Sequence, residues 1–171
     1  LGKALSGGWR QRVKLITKLR LFQSEEFSDQ QSWRLAVRNC FYESCLRLNT
    51  KFIDVLLFHH YENINNPFIL QEALALKAES LCNDLGVSVQ SPSELINVLD
   101  NPNFSFVQMP YNILDYRWDD AILKVLEVKQ KRKLIVHARS SLLQGLLCSD
   151  DHRNWLQAGI NNSGDIVSWL N

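Results

Sequence analysis

The stretch "FIDVLLFHH", residues 52–60, decides how this chain is read. From Phe52 to Phe58 only Asp54 interrupts an apolar run that shows no polar–apolar alternation. Such a run is buried on both faces, as strands of a parallel sheet are once helices cover it. A carboxylate inside it costs free energy unless it is paired or stands at the strand entrance, so Asp54 needs a partner. The run ends abruptly in two adjacent histidines, His59 and His60.

Four other runs share this character: "VKLITK" (13–18), "LGVSV" (85–89), "FSFVQM" (104–109) and "KLIVHA" (133–138). Each is short, β-rich and bounded by polar residues. Helical patterns separate them. Residues 29–48 follow Ser28 and Gln31 in capping-box spacing and carry Leu35, Val37, Cys40, Phe41, Cys45 and Leu48 at roughly helical intervals. Residues 68–82 and 119–129 consist of strong helix formers. In "SPSEL" (91–95), Ser91 reads as an N-cap, with Pro92 at the first helical position and Glu94 at the third.

The resulting alternation predicts an α/β fold of about five parallel strands alternating with helices. No GxGxxG follows any strand, which counts against a dinucleotide fold of the Rossmann type. No repeat or low-complexity linker divides the chain, so residues 1–171 read as a single domain, with "NNSGDIVSWLN" (161–171) a loop leading into an unfinished element.

With 46% hydrophobic and 22% charged residues, the chain carries enough apolar material for a core. Nineteen basic against eighteen acidic residues leave a formal charge of +1, which offers no electrostatic footprint for nucleic acid or an anionic membrane. Cys40, Cys45, Cys82 and Cys148 are scattered, without a CxxC pair, and read as reduced thiols. No apolar stretch approaches the roughly 18 residues of a membrane span, and the N-terminus lacks a signal-peptide apolar region. A cytoplasmic location is expected.

In parallel α/β folds, functional groups gather at the C-terminal ends of strands. Those ends carry Lys18, His59, Ser88 and Gln108. Lys18 reads either as a lysine leaving the sheet for solvent or as a half-buried cation that depresses the pKa of a neighbouring acid or phenol. His59 is either a satisfied structural imidazole or a functional one. His60 is expected on the opposite pleat, so the two cannot ligate one ion from a regular strand. His137 and His152 have no ligand spacing, and no metal site is expected. "SSLLQG" (140–145), beside Arg139, is either a plain turn or a set of backbone donors for an anion.

Taken together and in order, "LGKAL", "VKLITK", "ESCLRLNTKFIDVLLFHH", "LGVSVQSPSEL", "VQMPYNILD" and "ARSSLLQGLL" resemble the aldo/keto reductase family, over residues 1 to about 147. The resemblance implies a (β/α)8 TIM barrel that reduces aldehydes or ketones to alcohols with NAD(P)H, with NADP(H) ranked ahead of NAD(H), acting on a small carbonyl substrate. It matches Lys18 to the family's catalytic lysine and His59 to the histidine that orients the carbonyl. Ser88 and Gln108 match positions that hold the nicotinamide carboxamide, and Arg139 matches a residue packed near the nicotinamide ring. Ser140, Leu142 and Gly145 match the loop that lies along the pyrophosphate.

There are departures. The family's catalytic aspartate and tyrosine lie upstream of the "LGKAL" segment with which this sequence opens. The usual serine–asparagine pair is Ser88–Val89, and "SPL" is "SSL" at 140–142. The final strand and the segment that usually holds the adenosine phosphate are not in the sequence. Five strands do not close an eight-stranded barrel, which takes about 250 residues. The expectation is therefore a partial barrel: a piece of a longer reductase, or a degenerate member completed by an oligomer or partner and inactive as it stands. A noncatalytic regulatory or binding subunit on the same fold is the alternative.

Overall fold

The computed structural model describes residues 1–23, 27 and 29–170. Its centre is one sheet of five parallel strands: β1 (Ile16–Leu19), β2 (Ile53–Phe58), β3 (Cys82–Ser88), β4 (Phe104–Pro110) and β5 (Ile135–Arg139). Successive strands are joined through α1 (Gln30–Leu48), α2 (Pro67–Ala78), α3 (Pro92–Leu99) and α4 (Asp119–Lys131). The spatial order is the sequence order, β1-β2-β3-β4-β5. A doubly wound sheet reverses direction at a switch point, whereas here every crossover steps the same way, as in a (β/α)8 barrel. The expected partial barrel is what the chain forms. Among the described residues no helix is long and apolar enough to cross a membrane.

Local chemistry sets the helix boundaries. The α1 N-cap is Asp29, whose carboxylate accepts from Ser32 N–H at 2.8 Å while Ser32 Oγ accepts from Asp29 N–H at 3.3 Å. The box therefore sits one residue later than expected, and Ser28 lies outside the described residues. The buried stripe of α1 is Trp33, Val37, Phe41, Ser44 and Cys45; Leu35, expected within it, is half exposed. Asn66 caps α2 by accepting from Phe68 and Ile69 N–H, with Pro67 at the first helical position. Ser91, Pro92 and Glu94 occupy the expected places at the start of α3.

Expected and observed boundaries differ most at the end of α2, which stops at Ala78 rather than running to residue 82. Leu81 N–H bonds Leu76 O and Ser80 N–H bonds Lys77 O, both at 3.0 Å, with Ser80 at φ 60°. This is a Schellman stop built on serine, so the glycine that usually announces it is missing. Cys82 is freed to begin β3, three residues earlier than expected. Similarly, β1 begins at Ile16 and β5 at Ile135, later than the apolar runs suggested. In residues 161–171, expected as a loop leading into an unfinished element, Ser163–Leu170 form a helix, α6, after the short α5 (His152–Gln157).

The sheet has two unlike faces. One packs Leu19, Leu56, Phe58, Leu85, Val87 and Met109 against the helices in a continuous core. Each such side chain contributes about 1.5–3 kcal/mol on full burial. The other, inner face carries a small cluster of Val55, Leu57 and Phe106, flanked by Ile16 and Ile135. Gly86 lies level with Leu57 and Phe106 in the ladder, and a Cβ there would come within 2.3 Å of Phe106 O. The β3–β4 register shifts at this point: Leu85 faces Phe104 but Gly86 faces Phe106. The extra residue, Ser105, donates its hydroxyl to Asp84 at 2.6 Å.

Asp54 finds the partners its position demands. Arg10 Nη2 lies 3.0 Å from its carboxylate, and Leu15 N–H donates to it at 2.8 Å. The charge inside the apolar run is thus paired at the strand entrance.

Candidate functional site

In a parallel ladder, residues level with one another point to the same side of the sheet. Lys18 is level with Leu57, and two residues on from Ile16, so it belongs to the inner face. His59 follows the end of β2, and its backbone N–H donates to Leu19 O at 3.2 Å. Lys18 and His59 therefore converge at the C-terminal ends of adjacent strands, as their positions in the sequence implied. Ser88 is level with Gln108, and Gln108 with His137. Ser88 is buried, Gln108 half-buried and His137 exposed. Arg139 closes the row at the end of β5.

The two histidines do not divide between faces as a regular strand would require. Because β2 ends at Phe58, the chain bends at residues 59–60. This brings the two imidazoles together, with ring centroids 4.6 Å apart and planes at 57°. Among the described residues no group of three or more His, Cys, Asp or Glu side chains is placed to hold a metal.

The site's electrostatics are cationic. Burial, and then the Arg139 guanidinium, lower the pKa of Lys18 below the ordinary lysine value. Burial lowers that of His59, and the charges of Lys18, His60 and Arg139 lower it further. At neutral pH His59 is therefore a neutral imidazole among cations. Such a field suits an anionic ligand, or an oxygen on which negative charge develops.

Arg139 is held by the turn after β3. Its Nη2 donates to Gln90 Oε1 and, at 3.4 Å, to Val89 O. Gln90 is in turn fixed by its own N–H, which donates to Glu94 Oε2 at 2.8 Å. Sequence reasoning passed over Gln90, although its place two residues beyond Ser88 was a signal of the same side.

The loop after β5 is bent sharply. Ser140, Leu143 and Gln144 adopt φ of 59°, 46° and 58°, and Gly145 a φ of 93°. Left-handed backbone at non-glycine residues costs on the order of 1 kcal/mol each and gathers at ligand clamps and active sites. Ser140 O accepts from Leu143 N–H, and Leu142 O from Gly145 N–H at 2.9 Å. The Leu142 side chain is largely exposed. Between this loop and α5 lie two cavities of about 420 and 360 Å³, lined by Gly145 and Asn154 in one and by Ser140 and Ile160 in the other. A larger cavity, about 650 Å³, lies away from the strand ends, beside Tyr42, Leu46 and Leu81.

The strand entrances of the inner face are polar as well. Lys133 Nζ lies 2.8 Å from Asp84, whose carboxyl burial would raise but whose bonds to Lys133 and Ser105 hold below the usual range. The buried thiols are inert: burial pushes Cys45 up, and Cys82 up to about 11.

Comparison with known proteins follows this geometry. The sequence matches the aldo/keto reductase family over residues 1–157. No curated protein sequence matches it. Among solved structures it is similar to the holo form of aldo-keto reductase AKR11C1 from Bacillus halodurans, with 27% identity and a TM-score of 0.67 over 85% of this chain and 46% of that one. It also resembles the Bombyx mori aldo-keto reductase AKR2E4, solved in complex with NADP, with 18% identity and a TM-score of 0.59 over 81% of this chain and 45% of that one. The latter likeness concerns fold alone. The chain thus spans about half the length of these relatives.

Proposed function

The chain belongs to the aldo/keto reductase family, and on that premise we propose that its site serves the NAD(P)H-dependent reduction of an aldehyde or ketone to an alcohol. The observation that carries this reading is the gathering of Lys18, His59, Ser88, Gln108 and Arg139 on one face at one end of the sheet.

The donor set fits a nicotinamide dinucleotide. Ser88 and Gln108, level on adjacent strands, offer a hydroxyl and an amide to a carboxamide, which itself needs both an acceptor and a donor. Arg139 supplies positive charge at the end of β5, and the bent loop that follows it, carrying Ser140, Leu142 and Gly145, adjoins cavities of several hundred cubic ångströms. NADP(H) ranks ahead of NAD(H), on the family resemblance. When bound, the cofactor supplies the hydride.

The chain's own residues do the rest. The neutral His59 imidazole donates an N–H to the carbonyl oxygen of a small substrate and so orients it. The Lys18 ammonium, beside it, stabilises negative charge as that oxygen acquires it, and the proton that completes the alcohol is taken from water. Burial of Ser88 keeps its hydroxyl out of bulk water, where its hydrogen bond to the carboxamide counts for more.

The test is calorimetric titration of the full chain with NADPH and with NADH, followed by dinucleotide consumption in the presence of an aromatic aldehyde. Binding of NADPH, weakened by Arg139→Gln, is the expected result, and any turnover should be lost in His59→Ala. Binding without turnover would select the noncatalytic binding subunit instead. Folded protein that binds neither dinucleotide would overturn the reading.

A further inference from the structure

We infer that Gln90 is a positioning residue, which holds the Arg139 guanidinium across the end of β4 and keeps its charge directed at His59. The inference rests on the proposed site only in taking Lys18, His59 and Arg139 as its working groups.

The geometry is specific. Arg139 ends β5, and Gln90 lies just beyond β3; β4 separates the two strands. The guanidinium spans that gap, and one of its nitrogens is shared between the Gln90 side-chain oxygen and the Val89 carbonyl. Both ends of the span are anchored through the backbone. Arg139 O accepts from Tyr111 N–H at 3.0 Å, and Gln90 N–H is taken by Glu94 Oε2. Glu94 is fixed in turn at the start of α3, its N–H donating to Ser91 Oγ. What remains to be held is the arginine side chain, which carries about 2 kcal/mol of rotamer entropy and would otherwise sample solvent.

The identity of the acceptor matters. A carboxylate at residue 90 would hold the guanidinium equally well but would cancel its field. The glutamine amide binds it and leaves the positive charge intact. The one carboxylate in the turn, Glu94, is engaged by the Gln90 backbone. Burial is the larger cause of the lowered His59 pKa, and among the described residues the charges of Lys18, His60 and Arg139 add to it. Arg139 is the one of the three tied by hydrogen bonds to a neutral side chain.

The test is an NMR titration of the His59 imidazole in the full chain, the resonance being assigned by its loss in His59→Gln. In Gln90→Leu, which keeps the bulk and removes the acceptor, the His59 pKa should move upward, by no more than it does in Arg139→Gln. The double variant should show the Arg139→Gln value with no further change, because the glutamine acts only through the arginine. Gln90→Glu should also raise it, since the charge is then held but neutralised. Gln90 is exposed, so these variants should fold, which circular dichroism checks. An unchanged His59 pKa in Gln90→Leu, or a Gln90→Leu effect that persists in the Arg139→Gln background, would overturn the inference. The titration needs no cofactor, so a failure to bind NAD(P)H would count against the proposed reaction while Gln90 is still judged by His59.

Discussion

Gly86→Ala is the sharpest perturbation of the sheet that carries the site. Leu57 and Phe106, both buried, flank Gly86 in the ladder and close over it. An added Cβ would lie 2.3 Å from Phe106 O, 2.6 Å from Leu57 Cδ2 and 2.8 Å from Phe106 Cβ. The leucine methyl can rotate away, but the carbonyl belongs to the β4 backbone and moves only with the strand. Overpacking typically costs about 1–3 kcal/mol, and a backbone clash places this case at the upper end, about 3 kcal/mol. For a chain of this length that is a fall in Tm of roughly 6–12 °C. Urea unfolding of wild type and variant, followed by far-ultraviolet circular dichroism, measures it. Gly164→Ala is the control: nothing lies within 4 Å of its Cβ position, and in α6 the change should stabilise by about 0.5 kcal/mol. A loss in Gly86→Ala below about 0.5 kcal/mol would refute the claim that Leu57 and the β4 backbone leave no room on the inner face.

Stability should fall on acidification through the window just below the ordinary histidine value of 6.5. There unfolded His59 binds a proton that the folded imidazole, held lower, does not. His59→Gln should flatten the urea midpoint measured from about pH 7.5 to about pH 5, and an unaltered slope would contradict the lowered pKa. Arg132 donates to Leu99 O at 2.8 Å and also to Phe104 O and Asn101 O, closing the α3–β4 turn. Arg132→Ala should therefore cost about 2–3 kcal/mol in the same unfolding assay, and a neutral result would show that water replaces it. Timed alkylation at neutral pH should modify exposed Cys148 first and Cys82 last, its thiol being buried and pushed up to about 11. Equal rates would argue against the burial of β3's first residue.

Much of the fold was legible because its signals are local. The apolar run of β2, interrupted only by Asp54, pointed to a strand buried on both faces, and Ser91–Pro92–Glu94 marked the start of α3, where Ser91 Oγ accepts from Glu94 N–H. The misreadings have equally local causes. Ser80 in the left-handed conformation stops α2 without a glycine to announce it, so helix formers were read through into β3. Leu35 lies off the α1 stripe that Trp33, Val37 and Phe41 define, because intervals of four keep step with the helix better than the pattern taken from the sequence.

The site was legible as residue types at strand ends, and less so as geometry. His60 was placed across the sheet from His59 on the assumption that β2 continues. The strand ends at Phe58, and a bend sets the two rings side by side. Gln90 drew no notice because a single glutamine in a turn carries no pattern; its meaning comes from an arginine 49 residues further on.

Strand and helix order, the parallel class and the candidates Lys18, His59, Ser88, Gln108 and Arg139 were thus determined by the sequence itself, since burial pattern and capping act over a few residues. The uniform sense of the crossovers, the inner face that seats Gly86 beneath Leu57 and Phe106, and the burial and neighbouring charges that lower the His59 pKa were decided only by tertiary structure. Each depends on groups far apart in the chain, whose distances exist only after the strands have paired.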